Sequence, residues 1–156
     1  MRVESKRFGN IEVDDADVIH FPGGIVGFPH EHHFVIVGHS DFVAFLQSTK
    51  TPDLALPLVS AHVLGHQYPD VPLNTPVEQA GLGTRIEELA VTVVLSAPRG
   101  QPATVNLMAP IIVNVTTRRG AQVFLEGTRF TTRELFVLAH PKPEQASAEL
   151  REASAG

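Results

Sequence analysis

The 156-residue sequence contains no cysteine. This absence excludes disulfides, thiolate catalysis and any zinc or iron–sulfur site built on cysteine. No apolar run approaches the ~20 residues that a membrane-spanning helix needs, and residues 1–6 are polar, unlike the apolar core of a signal peptide. We therefore expect a soluble cytoplasmic protein that does not bind a membrane.

Basic residues are also scarce, because 12 Lys and Arg stand against 17 Asp and Glu, a formal net charge of −5. This charge would repel a polyanion, so we expect no direct binding to nucleic acid. Apolar residues make up 43% of the chain, which excludes wholesale disorder. A chain of this length can bury one real core, about 70% of the surface that the open chain exposes.

Twelve glycines and twelve prolines interrupt the chain and leave little room for long helices. The short Val-, Ile-, Phe- and Leu-rich segments between them predict an all-β sandwich or barrel. In residues 8–13 we predict a hairpin with Gly9 and Asn10 as its two-residue loop. Residues 75–78 carry a capping-box pattern that predicts a short helix ending near Gly81, in the only helical part of the domain.

Histidine is the one abundant reactive residue type, with eight copies. His30 and His32 could share a face and, with a third ligand, hold a divalent metal ion. His62 and His66 have helical spacing, although Gly65 makes a helix there doubtful and the metalloprotease glutamate is missing. These four are weak metal-site candidates, and a histidine-based metal-dependent hydrolase is one alternative function.

No other residue pattern nominates an active site. Residues 39–41 have the three types of a catalytic triad, but three consecutive side chains cannot converge. Neither a nucleophile elbow nor a phosphate-binding loop is present. We therefore predict a binding module without a cofactor rather than an enzyme, with a small-ligand-binding β-barrel as a further alternative.

Six segments form a recognisable ordered set. They are residues 8–13 (FGNIEV), 19–28 (IHFPGGIVGF), 45–48 (FLQS) followed by 52–56 (PDLAL), 106–114 (NLMAPIIVN), 118–123 (RRGAQV) and 130–133 (FTTR). Taken together, they resemble the flagellar assembly factor FliW family, and residues 19–28, the longest match, resemble its pattern I-x-F-P-x-G-I-x-G-F. Each segment alone is weak, whereas the ordered set from Phe8 to Arg133 is specific.

The resemblance implies a small antiparallel β-barrel-like single domain with one or two short helices. We place this domain at residues 1–140 and a flexible C-terminal tail at residues 141–156. The resemblance also implies a non-enzymatic cytoplasmic protein that binds CsrA, a small basic RNA-binding dimer that represses translation of flagellin mRNA. Such a protein binds flagellin too, and the release of flagellin frees it to engage CsrA and lift the repression.

The first candidate residues for partner contact are proposed from their charge. Glu12, Asp14, Asp15 and Asp17 form an acidic segment that could steer a basic partner such as CsrA onto the chain. The alternative is that these acids only keep a hairpin soluble. Residues 61–88, which are often strongly acidic in the family, hold only four acidic residues here, which could weaken CsrA binding.

The remaining contact candidates come from the family segments. Gln47, Asn106 and Asn114 are polar residues within apolar strands, and they either tie strands to loops or line an interface. Arg133 closes the last segment and is a further candidate. We assign the large apolar residues of these segments, including Phe21 and Phe28, to the core.

Overall fold

The computed structural model describes residues 1–38, 40–68 and 74–136. Eleven strands and two short helices lie within these ranges, and the predicted tail at residues 141–156 lies outside them. The helices are α1 (Ala61–Leu64) and α2 (Asn74–Gln79). The strands are β1 (Arg2–Ser5), β2 (Gly9–Glu12), β3 (Ile19–His20), β4 (His33–Gly38), β5 (Val43–Ser48), β6 (Ala55–Ser60), β7 (Leu89–Ser96), β8 (Thr104–Val105), β9 (Ile111–Asn114), β10 (Arg119–Gln122) and β11 (Glu134–Leu135).

Seven strands close into a barrel in the order β7-β6-β5-β4-β3-β10-β9, because β9 pairs back onto β7. All pairs around this ring are antiparallel except β3–β10, which is parallel and joins at His20 and Arg119. β8 and β11 extend the sheet beyond β7, while β1 and β2 form a separate hairpin. The predicted all-β, barrel-like fold is confirmed.

The barrel interior is filled by large apolar side chains, including the fully buried Phe21, Phe34 and Leu46. In β9, Ile111 and Val113 belong to this cluster, whereas Ile112 belongs to a second cluster with Val77 and Leu82. Since side chains alternate along a strand, β9 is buried on both faces. This double burial explains why its sequence is a continuous apolar run.

The N-terminal hairpin differs from the prediction. Ser5 pairs with Gly9, so the loop is residues 6–8 and Gly9 and Asn10 belong to β2. The Ser5 hydroxyl accepts hydrogen bonds from the amides of Arg7 (3.2 Å) and Phe8 (3.0 Å), and Gly9 takes a left-handed φ of 75°. These bonds favour a three-residue loop that is followed by a left-handed glycine at the start of β2.

The helices lie close to where the sequence placed them. α2 covers residues 75–78, and the left-handed Gly81 follows it, its amide donating to the Glu78 carbonyl. α1 forms where we doubted a helix, but Gly65 ends it at once with φ 52°. Single 3₁₀ turns follow at Gly65–Gln67 and Ile86–Glu88, and another at Asp15–Asp17 lies outside the expected helical part. Among the described residues, no helix has the length and apolar character that a membrane crossing requires.

Candidate protein-interaction surfaces

The acidic segment begins at Glu12, the last residue of β2, and continues through the exposed turn that precedes β3. Its side chains are all exposed, and three of the four pair with a cation. Glu12 lies 3.7 Å from Arg2, Asp15 lies 3.9 Å from the N-terminal amine, and Asp17 lies 3.7 Å from Arg118. Exposed pairs of this kind contribute only about 0–1 kcal/mol each, so a basic partner can displace them.

The three amide candidates serve as tethers in this structure. Gln47 is fully buried, and its side-chain amide donates to the Ser48 carbonyl at 3.0 Å. Asn114 is also buried, and it bonds to the Leu82 carbonyl at 2.9 Å. The half-buried Asn106 accepts a bond from the Ala109 amide at 3.0 Å. Tethering is what the geometry shows, and contact of these amides with a partner stays a prediction.

The closing family segment is divided between core and surface. Phe130 is buried and packs edge-on against Tyr68, with ring centroids 5.0 Å apart. The Tyr68 hydroxyl donates to the Leu107 carbonyl at 3.1 Å, and burial raises the pKa of Tyr68 to about 12. Arg133, three residues after Phe130, is exposed. Of the two residues, only Arg133 is therefore accessible to a partner.

Glu31 anchors the loop that follows β5. Its carboxylate accepts hydrogen bonds from the hydroxyls of Ser48, at 2.8 Å, and of Thr51. The Ser48 hydroxyl in turn accepts from the amides of Lys50 and Thr51. The loop also holds the N-terminal hairpin, since the Lys6 ammonium lies 3.1 Å from Asp53. The Glu31 carboxylate thus contributes two of the hydrogen bonds that hold the segment between β5 and β6.

We expect Glu31→Gln to flatten the dependence of stability on pH in the acid range. The bond from the Thr51 hydroxyl, more than any other contact, lowers the pKa of Glu31 in the folded chain. A carboxyl with a lowered folded-state pKa stabilises the fold above its unfolded pKa, about 4.5, and the stabilisation is lost as pH falls through the folded value. Urea unfolding at several pH values below 5 should show a smaller fall for the variant. The exposed Glu126→Gln is the matched control, and an equal fall in all three proteins would contradict the role of Glu31.

An exposed apolar tip, residues 25–28, lies between β3 and β4. Ile25 and Phe28 exchange backbone hydrogen bonds of 3.2 and 2.7 Å and form a minimal hairpin. Ile25 is buried, but Val26 is 57% exposed and Phe28 is 40% exposed. Our assignment of Phe28 to the core is therefore wrong, because the tight turn directs its side chain outward.

The tip is held in place by Gln122. Its side-chain oxygen accepts from the Val26 amide at 3.0 Å, and its amide donates to the Ala109 carbonyl at 3.1 Å. Three of the family segments thereby meet at one place. Sequence reasoning missed this surface, although Gly24 and Gly27 marked the turn. A fixed pair of exposed apolar side chains is a candidate contact for a protein partner.

Within the described residues, the histidines predicted as metal ligands form no metal site. His30 and His62 are exposed, and His32 Nδ1 lies 2.9 Å from the Phe21 carbonyl oxygen. The backbone of His66 lies in a 3₁₀ turn, and its side chain is not among the parts of the chain that the structure describes. No group of three or more His, Cys, Asp or Glu in residues 1–38, 40–68 and 74–136 is arranged to hold a metal ion.

The alternative of a small-ligand-binding β-barrel needs an internal cavity, but the interior of this barrel is packed. The packed side chains described above occupy the inside of the barrel. An open groove of about 510 Å³ lies on the outside, lined by Lys6, Arg7, Pro52, Asp53 and Ala55. Its charged, solvent-open lining differs from the enclosed apolar pockets that bind small molecules.

Comparison with known proteins decides the family. The profile of the FliW protein family matches residues 2–136, nearly all of the described chain. The chain belongs to the FliW family. It is similar to the flagellar assembly factor FliW of Heliobacterium modesticaldum, with 38% identity over 138 residues that cover 85% of this chain and 88% of the relative. Flagellar assembly factor FliW of Azoarcus sp. is 38% identical over 130 residues, 78% of this chain and 89% of the relative.

A solved structure gives the same result for the fold. The crystal structure of a flagellar assembly factor FliW superposes with a TM-score of 0.77 at 31% identity, and the match covers 86% of this chain and 96% of that one.

In this FliW-family chain, Glu88, one of the few acidic residues of segment 61–88, contacts other side chains of the domain. Glu88 lies 4.0 Å from Arg85 and 3.3 Å from the Asn114 side-chain amide.

Proposed function

We propose that this chain is a non-enzymatic flagellar assembly factor that binds CsrA and flagellin in a partner switch in the cytoplasm. Bound to flagellin, it leaves CsrA free to repress flagellin mRNA. Released from flagellin, it engages CsrA and lifts the repression. Membership of the FliW family over residues 2–136 is the observation that carries the proposal.

The exposed surfaces are compatible with protein partners. CsrA must present a positive surface to RNA, and the acidic segment offers carboxylates whose present pairs are weak and exposed. The apolar tip and Arg133 supply further accessible contacts. A switch also needs two partners whose binding is mutually antagonistic.

The first test is recovery of the partners. The chain is used to capture proteins from the native cytoplasm under conditions that keep weak complexes, and mass spectrometry identifies them. We expect CsrA and flagellin, with added flagellin reducing the recovery of CsrA. Recovery of neither protein would overturn the proposal.

The second test concerns the acidic segment. Neutralising it with Glu12→Gln, Asp14→Asn, Asp15→Asn and Asp17→Asn should weaken CsrA binding about tenfold at low salt, mostly by slowing association. Calorimetry and stopped-flow association rates measure the change. The control neutralises four exposed acids elsewhere and so makes the same change in net charge, with Glu4→Gln, Glu78→Gln, Glu87→Gln and Glu126→Gln. Equal weakening by both sets would show that only net charge matters, and no weakening would remove the segment from the interface.

A further inference from the structure

Three imidazoles and one guanidinium gather where β3 joins its neighbours. We call this group, His20, His32, His33 and Arg119, the histidine patch. His20 lies opposite His33 in the β3–β4 register, and their rings stack at 5.0 Å with an interplanar angle of 11°. The His32 ring lies 6.5 Å from His20 at 74°. Arg119 lies opposite His20 in the parallel β3–β10 pair, so its side chain emerges on the same face.

The histidine patch has no ion-pair partner in the part of the chain that the structure describes. On the β4 side, Glu31 is the nearby acid; its carboxylate is bound by the Ser48 and Thr51 hydroxyls, and the neighbouring His32 is a minor cause of the lowered pKa of Glu31. On the β10 side, Asp17 pairs with Arg118 at 3.7 Å. Among the described residues, no carboxylate lies within ion-pairing distance of the three histidines or of Arg119.

This arrangement opposes protonation in the isolated chain. Burial first, and then the neighbouring His33, Arg119 and His32, lower the pKa of His20. Protonation of His20 would add a positive charge beside Arg119, which repels it. A bound anion would offset this repulsion and favour the proton on His20.

We propose that the histidine patch binds carboxylates of an acidic segment on a protein partner, and that binding tightens as pH falls. Imidazolium and guanidinium N–H groups are strong donors to carboxylates. A short acidic segment suits the patch better than a nucleic acid, because the net charge of −5 and the nearby Asp17 and Glu31 oppose a long polyanion.

The test uses an acetylated and amidated tetraglutamate peptide as the probe, with tetraglutamine as the uncharged control. Histidine side-chain resonances and calorimetry report binding at about pH 6 and about pH 8, where glutamate itself does not titrate. We expect binding about tenfold tighter at the lower pH, as partial uptake of one proton over two pH units predicts. The resonances of His20 and His33 should move, and tetraglutamine should not bind.

Variants decide whether the patch is responsible. The double variant, His20→Gln with His33→Gln, should abolish the dependence of peptide binding on pH. If this variant fails to fold, the exposed His33→Gln alone is the test, and it should reduce that dependence. His30→Gln, a neighbouring exposed histidine outside the patch, should leave it unchanged. Binding that is equal at both pH values, or that survives His33→Gln unchanged, would overturn the proposal. Tighter binding of a four-nucleotide RNA than of the peptide would also overturn it, in favour of a phosphate site.

Discussion

Asn114→Leu is expected to lower the free energy of unfolding by about 3 kcal/mol. Asn114 is 1% exposed at the end of β9, and its amide nitrogen donates to the carbonyl of Leu82 at 2.9 Å. Its oxygen accepts from the amides of Thr116 (2.9 Å) and Thr117 (3.0 Å). Leucine would break these three bonds, and the 3.3 Å bond to the Glu88 carboxylate as well, and leave the carbonyl of the buried Leu82 without this donor. Urea unfolding followed by circular dichroism measures the loss.

Leucine substitutions at two less buried asparagines should lower the free energy of unfolding less. Asn10 is exposed on β2, so Asn10→Leu should change stability by no more than about 0.5 kcal/mol. Asn106→Leu removes one bond from a half-buried side chain and should cost about 1 kcal/mol. If Asn114→Leu were as mild as Asn10→Leu, the tethering role of Asn114 would be wrong. Unchanged stability of Asn106→Leu with loss of partner binding would instead place Asn106 at an interface.

Gly24→Ala is expected to cost about 3 kcal/mol or more, because strain and overlap act together. Gly24 has a left-handed φ of 67°, and a Cβ there would lie 2.6 Å from the Pro29 carbonyl oxygen and 2.7 Å from that of Phe28. Both oxygens belong to the backbone and cannot rotate away. The apolar tip would have to move as a unit, so partner binding through Val26 and Phe28 should fall as well. Urea unfolding and a binding assay report the two effects.

Gly127→Ala is the matched control for this substitution. Gly127 has a similar φ of 75°, but a Cβ there would meet open space. Alanine at this position carries only the left-handed strain, about 1 kcal/mol. The difference between the two variants therefore isolates the overlap at Gly24. Equal losses would show that the backbone around Gly24 has room for a methyl group.

Part of the barrel follows directly from the sequence. β4, β5, β7 and β9 lie in apolar segments that the sequence marks as strands. Of these, β9 is buried at all four positions and is apolar at three of them, as a strand covered on both faces needs, whereas β4 leaves Ile36 46% exposed. The parallel β3–β10 pair, in contrast, joins His20 to Arg119 across most of the chain through a strand of two residues. No local pattern carries that information, so ring closure was beyond prediction from the residues alone. The family resemblance supplied the barrel.

The candidate surfaces show the same division. The acidic segment is contiguous in sequence and was predictable as a group, whereas its pairing with Arg118 depends on the β3–β10 contact. His20 escaped notice because its stacking on His33 exists only once β3 pairs with β4. Phe28 was misplaced because its hydrophobicity indicates burial, while two backbone bonds in the turn decide its direction.

Barrel closure also limits how another chain can attach. Each strand of the described seven-membered ring has a neighbour on both sides. In the described nine-stranded sheet, β11 is the end strand with a neighbour on one side only; it has two residues, and the side-chain amide of Gln67 donates to the Leu135 carbonyl there. A polypeptide that docks by donating a strand would find only short free edges on this sheet, such as residues 35–38 of β4, which β3 does not pair with. Complexes formed on the barrel wall should therefore depend mainly on side-chain contacts. A single substitution there should be able to weaken the binding of one partner and leave the binding of another unchanged.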